Sequence, residues 1–207
     1  MSLAAHDLSC IRQERQIFSN LSFTLSKGEL LWVKGRNGAG KSSLLRIMAQ
    51  LLSSPTGRIE WAGQDISEDP SEYLQNIRYI GHQDGLKSVF TPRENLQFWI
   101  DYLGTGAIKP ALSALELDAI ADSPVRILSA GQKKRTQLAK LLAVPAPVWV
   151  LDEPVSSLDV HFIDLFRDIL KGHIASGGMA LLATHQDLGI AGTRILNLDQ
   201  LVVEGGE

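Results

Sequence analysis

Apolar residues in this chain gather into short unbroken runs, separated by stretches where they recur every three or four positions. Glu29–Val33 (ELLWV) and Val148–Leu151 (VWVL) show almost no polar alternation, so each reads as a strand buried on both faces; Met179–Ala183 (MALLA) is a further run of this kind. Ser43–Leu52, and the stretch ending in LAKLLA with Leu138, Leu141 and Leu142, carry the spacing of helices with one buried face. Residues 1 to about 30 read as strands closed by the turn residues Ser26, Lys27 and Gly28. SSPTG at Ser53–Gly57 returns the chain into RIEWAG, an antiparallel edge beside the core. Thr91, Pro92 and Glu94 make a helix start, with a capping residue, proline at the first position and an acid three on from the cap. The expected architecture is α/β. A mainly parallel sheet flanked by helices, over residues 1–83 and 143–207, carries an antiparallel β edge and a helical subdomain of residues about 84–142, all in one domain. Ile195–Val203 reads as a terminal strand pair.

The first chemistry lies directly after ELLWV. Gly35, Arg36, Asn37, Gly38, Ala39, Gly40, Lys41 and Ser42 spell GRNGAGKS and match G-x-x-x-x-G-K-[ST] at every required position, between a strand and the helix that begins near Ser43. Glycines let the backbone wrap a phosphate with converging N–H groups, and the following helix adds its positive end. Lys41 is placed to reach the β- and γ-phosphates as a point charge, and the Ser42 hydroxyl to complete part of a Mg²⁺ shell. Such a site needs a carboxylate at the end of a neighbouring buried strand, and VWVL ends in Asp152 and Glu153. Asp152 is the expected metal-side carboxylate. Glu153 points elsewhere and is placed to orient or deprotonate the attacking water, a role worth about 10²- to 10⁴-fold.

With these residues in place the chain resembles the ABC-type ATPases over nearly its whole length. Leu128, Ser129, Ala130, Gly131 and Gln132 (LSAGQ) look like that family's signature motif, with Ala130 where a glycine is more usual, and Asp152 follows Gln132 at the family's interval. The resemblance implies several further roles. Gln83, in GHQ, matches the glutamine that joins the metal and couples nucleotide state to a partner. His185, in ATHQ, matches the histidine that touches the γ-phosphate, and Ser157, Leu158 and Asp159 match the D-loop. Arg12 falls where an aromatic residue usually stacks on adenine; its guanidinium face stacks too, worth about 0.5 to 2 kcal/mol. The implied cofactors are ATP and Mg²⁺. The implied partners are a second copy of the chain, head to tail, whose signature closes over the bound nucleotide, and integral membrane permease subunits. Val89, Phe90, Phe98 and Trp99 lie where the family grips such a partner, and adjacent aromatics on a helix cannot both face inward. The short length, the IGHQDGLK and TPRENLQFW segments and Arg12 resemble the haem-exporter branch of the family, which acts in bacterial cytochrome c maturation. That branch implies a peripheral subunit on the cytoplasmic face of the inner membrane, whose ATP hydrolysis drives release of a haem-loaded periplasmic chaperone. Another export ATPase and a soluble ATPase acting on nucleic acid are the alternatives.

Physical chemistry also speaks for the signature. Ser129 and Gln132 fit a capping box, and Lys133, Lys134 and Arg135 then load the positive end of a helix with cations, at about 0.3 to 1 kcal/mol each when exposed. Such a start suits an external anion. Composition narrows the rest. A net charge of −3 with no basic block disfavours nucleic acid as a partner, and the single cysteine, Cys10, excludes an internal disulfide. The longest uncharged apolar stretch, Leu141–Leu151, is about half a membrane span and contains Pro145 and Pro147, so no membrane-crossing segment and no leader peptide are expected. The histidines at 6, 82, 161, 173 and 185 are scattered, and no CxxCH haem-attachment motif is present.

Overall fold

A computed structural model describes residues 1–200. Two sheets organise it. The first is antiparallel, with strands β1 (Ser2–Arg12), β2 (Arg15–Ser26), β4 (Arg58–Trp61) and the short β5 (Gln64–Asp65) in the order β2-β1-β4-β5. The second is parallel, with β3 (Leu30–Lys34), β6 (Ile77–Ile80), β7 (Val148–Asp152), β8 (Met179–Ala183) and β9 (Arg194–Asn197) in the order β6-β7-β8-β3-β9.

The unbroken apolar runs are the strands of the parallel sheet because both of its faces are covered. Leu31, Val33, Val148, Val150 and Leu181 point into a core shared with the antiparallel sheet and helix α1 (Lys41–Met48). Trp149, Leu151, Ala180 and Leu182 point the other way, onto α5 (Ala130–Ala143) and α6 (Val160–Ala175) through Leu138, Leu141, Phe166 and Leu170. Three further helices complete the fold: α2 (Pro70–Gln75), α3 (Pro92–Leu103) and α4 (Ile108–Ala114). The last two pack with α5 beyond β6.

Both capping boxes read from the sequence form. Thr91 accepts from the Glu94 N–H at 3.1 Å while Glu94 accepts from the Thr91 N–H at 2.8 Å, and Pro92 opens α3. Two boundaries differ from expectation. Helix α1 ends at Met48 and not Leu52, because Gln50 turns to a φ of 57° and the Leu51 N–H reverts to the Arg46 carbonyl. The expected terminal strand pair is a single described strand, β9, paired in parallel with β3, followed by a tight turn at Leu198–Gln200. Residues 201–203 of that expectation lie outside the described residues. No helix among the described residues is long and apolar enough to cross a membrane.

Candidate active site at the carboxyl ends of the parallel strands

The parallel strands deliver their following loops to one edge of the sheet, where open α/β sheets place their ligands. There β3 leads into the glycine-rich loop, β7 into Asp152 and Glu153, β8 into Thr184 and His185, and β6 into Gly81 and His82. A cavity of about 280 Å³ opens between them, lined by Arg12, Ile17, Asn37, Gly38, Gly40, Lys41, Ser42, Ser43, His82, Asp152, Glu153 and His185.

The loop holds its shape by glycine and by hydrogen bonds from both ends. Gly40, which caps α1, has a φ of 96°, and a Cβ there would come within 2.6 Å of the Ile17 side chain. Lys41 Nζ donates to the carbonyls of Gly35 at 2.7 Å and Arg36 at 3.2 Å, so the cation lies along the loop it serves. At the far side Asp199 accepts from the Arg36 N–H through both carboxylate oxygens, at 3.0 and 3.1 Å.

Asp152 is 1% exposed and accepts from the Ser42 hydroxyl at 3.0 Å through Oδ1. Its Oδ2 is buried and receives no hydrogen bond. A buried carboxylate oxygen without a donor is costly, so the pair fits a hard divalent cation. The described residues contain no cluster of three His, Cys, Asp or Glu side chains, so Ser42 and Asp152 would share such a cation with phosphate and water, the usual arrangement for Mg²⁺.

Glu153 has a φ of 50°, a strained conformation for a residue with a side chain. Its N–H donates to the Ala183 carbonyl at 2.8 Å, and its own carbonyl accepts from Ser156 Oγ at 2.9 Å and Lys134 Nζ at 3.3 Å. The turn separates it from Asp152: one carboxylate stays buried beneath the loop while the other faces the cavity. His185 Nε2 stands 3.7 Å from Glu153 Oε1.

The structure therefore gathers Arg12, Asn37, Gly38, Gly40, Lys41, Ser42, Ser43, Asp152, Glu153 and His185 around one cavity. Gly35, Arg36 and Ala39 support the loop beside it. Gln83 does not line that cavity. Its carbonyl accepts from Gln137 Nε2 at 2.9 Å, and its side chain borders a neighbouring cleft with Asp84, Ala130, Lys133 and Ser157. His82 and Ile17 line the phosphate cavity without having been singled out. Only the position of His82 next to Gln83 hinted at it, and Ile17 belongs to β2, far from any motif.

The signature residues open α5 as a capping box: Ser129 Oγ accepts from the Gln132 N–H at 3.2 Å, and Gln132 Oε1 accepts from the Ser129 N–H at 2.9 Å. Leu128 is buried. A Cβ on Gly131 would meet the Ser157 carbonyl at 3.1 Å, so the signature and the Ser157–Leu158–Asp159 segment pack closely, and Asp159 in turn caps α6 by accepting from the Phe162 N–H. The three cations that follow do not all face outward. Lys134 is buried against the Glu153 carbonyl, and burial lowers its pKa, opposed by Asp152, Asp84 and Glu153. Arg135 donates to the carbonyls of Leu115 and Glu116 and lies over the Phe162 ring. Only Lys133 lines the open cleft without such an internal hydrogen bond, so the expectation of three cations awaiting an anion is corrected: two of them fasten the helix start to its own chain.

None of the signature residues lines the phosphate cavity of the same chain, and Ala130 borders the separate cleft instead.

Comparison with known proteins fits this arrangement. Residues 18–156 match the ABC transporter family. A cytochrome c biogenesis ATP-binding export protein, CcmA, from Rhodospirillum rubrum is 46% identical over 95% of this chain and 85% of its own length. Proteins of the same name from Paramagnetospirillum magneticum (43%; 98% and 96%) and Methylococcus capsulatus (46%; 95% and 97%) align as fully. A solved putative ATP-binding protein of an ABC transporter from Pyrococcus furiosus superposes with a TM-score of 0.83 over 98% of this chain and 100% of its own at 22% identity, a likeness of fold.

Proposed function

The chain belongs to the ABC transporter family and is an ATPase of that type, and from that premise we propose that it powers a haem-exporter complex in cytochrome c biogenesis as one of two head-to-tail copies. The single observation that carries the catalytic part is the Ser42–Asp152 pair, with its unpartnered buried oxygen, set beside Glu153 and His185 in one cavity with the phosphate loop. The cytochrome c part is supported by relatives named CcmA that match at 43 to 46% identity over 95 to 98% of the chain.

Each residue then has a defined task. The backbone N–H groups of the loop and Lys41 hold the ATP phosphates, while Arg12 and Ile17 border the base. Mg²⁺ at Ser42 and Asp152 would neutralise phosphate charge and fix the β–γ geometry. Glu153 orients the water for in-line attack and takes its proton, and His185, beside it at 3.7 Å, meets the γ-phosphate. The second copy contributes Ser129. Its oxygen accepts within the capping box, which leaves the hydroxyl proton free to donate, along with the N–H groups of Ala130 and Gly131 at the open helix end. Gln83 lies in the cleft between this site and the α3–α5 helices, where it can report nucleotide state to membrane permease subunits seated against those helices. The proposed location is the cytoplasmic face of a bacterial inner membrane.

A Glu153→Gln chain with ATP and Mg²⁺ is expected to bind nucleotide, hydrolyse it at least about 100-fold more slowly and sediment at twice the 22.6 kDa of one chain. Lys41→Ala is expected to lose nucleotide affinity. Mixing Lys41→Ala with Ser129→Arg chains should restore activity above either alone, since one of the two sites in the mixed dimer keeps both halves. Absence of rescue when mixed dimers are demonstrated would sink the shared site.

A further inference from the structure

One side chain belongs to both cavities described above. Among the described residues, His82 alone lines the phosphate cavity, with Lys41, Asp152, Glu153 and His185, and also the cleft bordered by Gln83, Ala130 and Lys133. The sheet puts it there. β6 runs parallel beside β7 with Ile80 opposite Leu151, so His82 stands two residues past that rung, as Glu153 does. β8 flanks β7 on its other edge and leads to His185. The strand that carries Glu153 therefore has a strand ending in an imidazole on each side of it.

An exposed loop residue holds such a position only if its backbone is fixed, and here one buried side chain fixes it. Gln137, on α5 and 6% exposed, donates through Nε2 to the Gly81 carbonyl at 3.0 Å and to the Gln83 carbonyl at 2.9 Å. These are the residues on either side of His82. Two carbonyls at one end of the amide establish which end carries the nitrogen, and both of its N–H groups are spent on this single turn. Gln137 Oε1 is buried and has no donor, a cost that an apolar side chain of the same shape would avoid. What the position supplies is the pair of bonds that brackets His82.

The chemistry of the cavity gives the ring something to do. Lys41 Nζ donates to the loop carbonyls of Gly35 and Arg36, and the Ser42 hydroxyl donates to Asp152, so the donors of the loop side are gathered around the loop itself. His82 is the one lining residue supplied by β6 and the turn after it. An imidazole keeps an N–H whether neutral or charged. In the order β6-β7-β8-β3, β6 is three strands from the strand that opens the loop, about 14 Å at the usual spacing. The part of the phosphate chain nearest to β6 is then its terminal group.

We propose that His82 donates a ring N–H to the terminal phosphate of bound ATP, and that Gln137 is the positioning residue that holds His82 at the cavity edge. This rests on the reading of the cavity as the ATP phosphate site and adds to it a phosphate contact from β6 and the residue on α5 that sets it.

The test compares two nucleotides on the full chain with Mg²⁺: ADP, and an ATP analogue whose β–γ bridge is an imido group. Affinities are read by competition with a fluorescent nucleotide, at a chain concentration shown by sedimentation to be monomeric. His82→Leu should weaken the analogue about tenfold or more, the loss of a hydrogen bond to a charged group, and leave ADP within about twofold. His82→Gln, which restores a donor, should recover most of the analogue's affinity. Gln137→Met keeps the shape without the two N–H groups and should likewise weaken the analogue and not ADP; if it fails to fold, Gln137→Ala takes its place. A native ratio of analogue to ADP affinity in His82→Leu, or equal losses for both nucleotides, overturns the phosphate contact. A Gln137→Met chain that melts earlier but keeps the native ratio overturns the positioning role. Lys41→Ala retaining native affinity for both nucleotides would overturn the phosphate-cavity reading itself, a failure distinct from that of His82.

Discussion

His173 shows how one residue's surroundings set its response to pH. Its ring stacks on Trp149 with centroids 3.8 Å apart and planes within 6°, and Nε2 pairs with the Met179 carbonyl at 3.2 Å. Gly178 is required opposite, because a Cβ there would fall 2.3 Å from the ring. Burial lowers the His173 pKa, against the pull of the Met179 and Pro147 carbonyls. The unfolded chain therefore binds this proton more readily than the folded one. The stabilisation is full above the unfolded value of about 6.5 and is lost as pH falls through the lower folded value. His173→Phe keeps a stacked ring without the titration, so its melting temperature should fall less than that of the parent between pH 7 and 5, measured by calorimetry in matched buffers. Equal slopes would exclude His173 as the source. None of this was legible in the sequence, where His173 was one of five scattered histidines, because a stack depends on β7 and α6 meeting in space. The phosphate loop was legible because its residues are contiguous and their spacing is fixed by the backbone itself. Lys134 and Arg135 lie between these cases: their place at a helix start was readable, but their inward direction depends on Glu153 and on Leu115 and Glu116, reached only after folding.

At the scale of the element, α5 joins stability to chemistry through one hydroxyl. Ser129 caps the helix and, in the proposed dimer, faces the other chain's phosphates, so a simple truncation cannot separate the two roles. Ser129→Ala removes the cap and should cost about 0.5 to 2 kcal/mol of stability along with activity. Ser129→Asp separates them. Aspartate is as good a cap as serine, and its charge suits the positive end of a helix, so the thermal midpoint should hold. The same charge would repel phosphate and remove a donor, so ATPase activity should fall by about 10² or more. A Ser129→Asp chain with normal melting and normal turnover would remove Ser129 from the catalytic interface. The two capping boxes were readable from residue types alone because a cap is a local device. Helix and strand ends that depend on tertiary neighbours were not, as the early end of α1 at Met48 shows.

Across the whole molecule, the decisive geometry is the separation of the phosphate-loop cavity from the start of α5, the two halves of the proposed shared site. The phosphate loop, Asp152, Glu153 and His185 share a cavity that no signature residue lines, while the start of α5 borders another cleft and is tied by Lys134 to the carbonyl of Glu153. A chain built in this way cannot close its own signature over its own nucleotide without tearing α5 from β7. In a two-fold pair the same two surfaces meet twice, which satisfies both sites with one interface, as isologous dimers require. Hydrolysis should then follow the population of dimers. At saturating ATP and Mg²⁺, the rate per chain is expected to rise in proportion to chain concentration while monomers dominate, and to level off once dimers do. Adding an excess of Lys41→Ala chains to a dilute native sample should raise the native turnover, because each mutant lends an intact Ser129 to a native phosphate site. A rate per chain that stays constant from nanomolar to high micromolar concentration, in a sample shown by sedimentation to be monomeric throughout, would mean that a single chain completes the site.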